Sequence, residues 1–185
     1  MDFLFTFIFI AMVGVAIYFV NAYYRNDKKV LEDSLQESLA DPKFKNAKQY
    51  RLYFPHKKWD AGYFLITEKG DCCFYYVNPP KKVFNIKEIA SYKVNIDGNE
   101  VSGLKNAVVG GALFGPAGAV VGALNKKEYI ESVRIVFTFN DFNTDQLFMS
   151  IFFGKAPKGS LDYTIAIDTL EAITASLDLV KNNLD

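Results

Sequence analysis

The feature that most constrains this chain is its beginning. Residues 3–20 read FLFTFIFIAMVGVAIYFV, a run without a charged side chain in which Thr6 is the one clearly polar member. At about 1.5 Å per residue such a helix covers roughly 27 Å, and the aromatic pair Tyr23 and Tyr24 brings it to bilayer thickness. The run is apolar on every side, unlike a surface helix, which keeps a polar face. Arg25, Lys28 and Lys29 follow it, and only Met1 and Asp2 precede it. Positive charge is retained on the cytoplasmic side of a membrane. The expectation is a single-pass anchor over residues 1–25 in the cell membrane, N-terminus outside, with the remainder cytoplasmic. A cleaved signal peptide is the competing reading, but it needs a basic leading region and a shorter apolar run.

Little in the composition points to chemistry. Acidic and basic residues balance at 21 each, so no overall field recruits nucleic acid. Cys72 and Cys73 are the only cysteines. Adjacent strand residues point to opposite faces, so this pair offers no disulfide framework, and a reducing compartment is expected. His56 is the only histidine, which excludes catalytic or metal centres built on several. A phosphate-binding loop needs lysine and a hydroxyl after its glycines, and residues 118–123 supply neither. The expectation is a protein that is not an enzyme, with no catalytic residue, metal or cofactor.

Behind the anchor, Leu31, Leu35 and Leu39 recur at i, i+4, i+8 in residues 27–40, and Pro42 ends that pattern. This predicts a juxtamembrane helical stalk within 26–48, packed on its own domain or on a twin from a second subunit; two heptads are too few for a coiled coil. From residue 49 onward the pattern is one of short strands. They are expected at 50–54, 62–67, 72–77, 82–85, 89–97, 129–140 and 146–153, with Gly70 in a hairpin turn and Gly154 opening a loop. Ser160 is placed to cap a final helix to about residue 182, with Tyr163, Ile167, Leu170, Ile173, Leu177 and Val180 on one face. The fold class expected is α+β: an N-terminal transmembrane helix, then an antiparallel sheet of about seven strands capped by a C-terminal helix.

An insertion over 104–125 interrupts this order. Its centre, NAVVGGALFGPAGAVVGAL, is uncharged. Gly111 with Gly115, and Gly118 with Gly122, form i, i+4 pairs that would let another backbone approach a helix closely. Glycine costs a helix in water about 1 kcal/mol per residue relative to alanine. The favoured reading is a helical hairpin that dips into the near leaflet or packs on another protein. A second full span and a loop folded over the domain's own core are the alternatives. Gly110, Gly111, Phe114, Gly115, Gly118 and Gly122 are the candidate membrane or partner contacts. Lys57, Lys58 and Trp59, with Lys126 and Lys127 beside the insertion, are candidate headgroup contacts. Each lysine group also reads as ordinary solvated turn.

The strand order with its closing helix resembles the pleckstrin-homology (PH) type of fold. Residues 110–122 and 126–135, GGALFGPAGAVVG followed by KKEYIESVRI, are similar to uncharacterised PH-like, membrane-anchored proteins of Gram-positive bacteria and their phages. The resemblance covers roughly residues 60–182. It implies a tethered binding or scaffold module at the cytoplasmic face, with the lipid bilayer and a membrane protein or a second copy as partners. The phage association implies an alternative, a host-protection protein acting in superinfection exclusion or toxin immunity.

Overall fold

The apolar run and the leucine stalk are one uninterrupted helix, α1 (Asp2–Ala40). The computed structural model describes residues 2–54, 60–76, 81–100, 128–141 and 146–184. After α1 come β1 (Lys48–Tyr53), β2 (Asp60–Ile66), β3 (Asp71–Tyr76), β4 (Lys82–Asn85), β5 (Ile89–Ile96), β6 (Asn99–Glu100), β7 (Tyr129–Phe139) and β8 (Leu147–Pro157), then a closing helix, α2 (Leu161–Leu184).

The strands form one sheet in the order β4-β3-β2-β1-β8-β7-β5-β6. It is mixed and eight-stranded, where seven antiparallel strands were expected. The eighth is β6, returned on β5 by Asp97 and Gly98, both at positive φ (52° and 80°), the backbone that tight hairpins demand. The parallel junction arises where the two halves of the sheet meet, β1 touching β8 through the single pair Tyr53 and Phe152. β8 also runs on through Gly154 to Pro157, because β7 stays beside it: Ile130 pairs with Ala156 and Tyr129 with Pro157. A paired neighbour outweighs one glycine's weak strand propensity.

Helices cover both faces of the sheet. On one face α2 lays Ala166, Leu170, Ile173, Leu177 and Val180 over Leu52, Phe64, Val94, Ile135, Phe137 and Ile151. Ser160 caps α2, its Oγ accepting from Tyr163 N at 3.2 Å. On the other face Leu31, with Leu35 and Leu39 beside it, packs with Phe44, Tyr63, Leu65, Cys73 and Tyr75. The stalk therefore lies on its own domain. Cys72 belongs to the first cluster and Cys73 to the second, as strand alternation requires. Two-sided burial explains why β2 and β3, DAGYFLI and DCCFYY, lack polar alternation.

Between β1 and β8 the sheet splays, and a side chain closes the seam. The Tyr76 hydroxyl donates to the Ser150 carbonyl at 3.0 Å and accepts from the Ser150 N–H at 2.7 Å. It satisfies the backbone groups on a stretch of β8 that β1 does not reach.

Candidate functional site

Strand direction sorts the domain into two rims. β1, β3, β5 and β8 run one way and β2, β4 and β7 the other, by their pairings. Tyr53, Tyr76, Ile96 and Pro157 therefore end strands at one rim, where Asp60 and Tyr129 begin theirs. α2 starts at this rim, since the Tyr53 hydroxyl donates to Asp162 at 3.0 Å. It descends to the other, where Lys181 Nζ reaches the Ile89 carbonyl at 3.5 Å.

α1 arrives from the side of the first rim. Ser38 is buried and hydrogen-bonds the Cys73 thiol. Lys43, just past the helix, pairs with Asp71 at 3.0 Å, at the hairpin end of β3. Traced back toward its N-terminus, the helix passes Leu31, buried with Tyr63 and Tyr75. It leaves the domain only beyond Asp27, which is buried as well. From Ile8 to Tyr23 every described side chain is exposed, with Phe9 63 %, Tyr18 70 % and Phe19 66 % accessible. α1 is the one helix, among the described residues, long and apolar enough to cross a membrane. The rim bearing Tyr53, Tyr76, Tyr129 and Pro157 faces the direction in which that apolar half extends.

The opposite rim holds a groove of about 710 Å³ lined by Val83, Phe84, Lys87, Phe139, Asn140 and Leu147, among others. It lies where the sheet curls until β4 meets β7, with Phe84 and Phe139 ring centres 5.8 Å apart at a right angle. Val83 remains 49 % exposed on this edge strand. Apolar walls with Lys87 and Glu88 at the lip suit a polypeptide or a small amphipathic ligand.

The candidate contacts named from the sequence lie outside the described residues: Lys57, Lys58 and Trp59, Gly110, Gly111, Phe114, Gly115, Gly118 and Gly122, Lys126 and Lys127. The ends of β1, β2 and β7 that flank these segments are at the rim toward which α1 extends. Sequence reasoning missed four described residues on the same rim. Tyr129, Phe153 and Leu161 are 44 %, 54 % and 73 % exposed, and the Lys155 ammonium stands 4.6 Å from the centre of the Tyr129 ring. They come from β7, β8 and α2, so no local pattern joins them.

The interior offers inert groups. Burial pushes the Cys73 thiol up to about 11, against an opposing pull from Lys81, and pushes Cys72 further in the same direction, Asp71 adding to it. Both thiols are fully buried. Among the described residues no three His, Cys, Asp or Glu side chains gather as a metal site. Comparison with protein-family models, with curated proteins and with solved structures returns no match.

Proposed function

We propose that this chain is a non-enzymatic binding module tethered to the cytoplasmic face of the cell membrane. The observation that carries the reading is α1 itself. One helix has an apolar first half, exposed at every described side chain from Ile8 to Tyr23, and a second half docked on the sheet through Leu31, Leu35 and Leu39. A rigid rod shared by bilayer and domain fixes the domain's height and orientation, where a flexible linker would leave both free. Tethering raises the effective concentration of the domain at membrane partners, so weak contacts suffice. The far-rim groove would face the cytoplasm and receive a partner segment, while the glycine-rich insertion engages lipid or a membrane protein. The PH-type reading of the domain is supported by the succession of a four-strand meander, a second meander and a closing helix.

Topology labelling tests this. Because the native thiols are buried, Asp2→Cys and Asn182→Cys report alone. Asp2→Cys should react with an impermeant maleimide on intact cells, and Asn182→Cys only after permeabilisation. Release of the whole chain by alkaline carbonate, or the reverse labelling, refutes the reading.

A further inference from the structure

We propose that the outer edge of β4, beside the far-rim groove, takes up an extended polypeptide segment as an added antiparallel strand, one that carries an apolar residue and, two positions later, an acidic one. The inference rests on the tethered-module reading above, in which the groove receives a partner segment, and states the chemistry of that segment. The first support is the direction of the backbone groups. β4 ends the sheet and pairs on one side only, with β3. In an antiparallel ladder successive residues turn their N–H and C=O to one neighbour and then to the other. Thr67 N donates to the Asp71 carbonyl at 3.0 Å, and Ile86 N donates to the Gly70 carbonyl at 2.8 Å. The backbone groups of Asp71 and Cys73 therefore face β2, and those of Cys72 and Phe74 face β4. Val83 stands opposite Cys73, so its own N–H and C=O point away from the sheet.

Asn85, two residues on, obeys the same alternation. Its N–H is also turned outward, and it donates to Glu88 Oε2 at 3.2 Å. Val83 has no such cover. It is 49 % exposed, and no described backbone group pairs with it. An unpaired edge is a template for another strand. One residue of an antiparallel partner can exchange both bonds with Val83.

The side chains flanking Val83 set what the added strand carries. Lys82 and Phe84 lie opposite Phe74 and Cys72, on the α2 face, and both line the groove with Phe139 and Leu147. A partner residue opposite Phe84 meets two aromatic rings and is apolar. A partner residue opposite Lys82 meets an exposed ammonium with no ion pair among the described residues and is acidic, because directly opposed unlike charges favour a strand pair and like charges oppose it. Glu88 sits on Asn85, at the other end of β4, and repels an acid placed there. The antiparallel order is therefore apolar first and acid second. Lys87, Glu88 and Asp141 line the groove too, so the preference is local to Lys82 and not a field of the whole groove. A second copy of this chain paired through Val83 would set Lys82 against Phe84 twice and give neither ammonium a carboxylate. One two-bond pair and two side-chain contacts hold weakly, which suits a domain concentrated near its partners by a tether.

The test uses the full chain in detergent micelles and an end-blocked peptide, Ser-Thr-Val-Thr-Asp-Thr-Ser, with amide exchange at Val83 read by NMR. In the chain alone Val83 should exchange fast while Phe84, bonded to β3, is protected. Millimolar peptide should slow exchange at Val83 by about tenfold or more. The same peptide with lysine in place of aspartate should bind about tenfold more weakly, and Lys82→Glu, an exposed change, should reverse that order. The peptide N-methylated at its central threonine should not bind, since it lacks the donor for the Val83 carbonyl. Protection of Val83 in the chain alone, no slowing by the aspartate peptide, or equal binding of the N-methylated form overturns the added strand. Equal binding of the lysine and aspartate forms overturns its stated chemistry. Binding in micelles does not depend on topology. Failure here leaves the tether standing, and reversed labelling on cells removes the tether without touching this result.

Discussion

Two neighbouring tyrosines hold opposite stability consequences. Tyr76 closes the seam through both backbone groups of Ser150. Tyr76→Phe strands a buried N–H and C=O and should lower unfolding stability by about 1–3 kcal/mol. Tyr75 is 2 % exposed, and its hydroxyl, under α1, has no hydrogen-bond partner among the described residues. Tyr75→Phe removes a buried unsatisfied group and should raise stability by about 1 kcal/mol. Urea titration of the two variants in one detergent gives both signs. Gly62 is a third sensitive position. A Cβ there would collide with the Tyr75 carbonyl oxygen and stand 2.8 Å from Tyr76 Cδ1, so Gly62→Ala should cost about 2–3 kcal/mol by overpacking.

The Cys73 thiol sets a pH dependence at the same scale. Its folded value, about 11, lies above its ordinary 9.0, so the folded state favours the protonated form. That contribution is complete below pH 9, and it is lost as pH climbs from there through about 11, because the unfolded chain ionises first. Thermal melts of wild type should fall more steeply across that range than those of Cys73→Ala. Alkylation at pH 8 should leave wild type unmodified until denaturant is added, because the thiolate is the nucleophile.

At the scale of elements, α1 and β8 carry the consequences. The leucine spacing alone left the stalk open to two partners, its own sheet or a twin. The sheet decides it, because β2 and β3 present Tyr63, Leu65, Cys73 and Tyr75 on a second apolar face that needs cover. Leu31→Ala should weaken docking of residues 27–40 by about 2–4 kcal/mol. Hydrogen exchange should quicken in that half of α1 while β7 stays protected. The extension of β8 was hidden from sequence by Gly154, a loop signal that pairing with β7 overrides. The two-residue β6 was hidden because Asp97-Gly98-Asn99 reads equally as a strand's end and as a turn.

Across the whole molecule, α1 joins an exposed apolar stretch and a half docked on the sheet in one continuous helix. A chain beginning at residue 25 keeps both clusters, since Leu31 is the first leucine that either uses. It should be soluble and melt within a few degrees of the full chain in detergent, checked by fractionation and circular dichroism. A large loss of stability would mean that the apolar half supports the fold.

The sequence by itself determined the apolar N-terminal helix, the seven longer strands and the closing helix. Those follow from near-neighbour physics: uncharged length, period-two and period-3.6 apolarity, and proline and glycine at the breaks. It also placed Cys72 and Cys73 on opposite faces, from alternation alone. Only the tertiary structure decided which face the stalk covers, that the two halves of the sheet meet in a parallel junction, and which distant residues share the rim toward the apolar half of α1. Those outcomes depend on groups far apart in the chain competing for the same buried surface, and no window of neighbouring residues contains that competition.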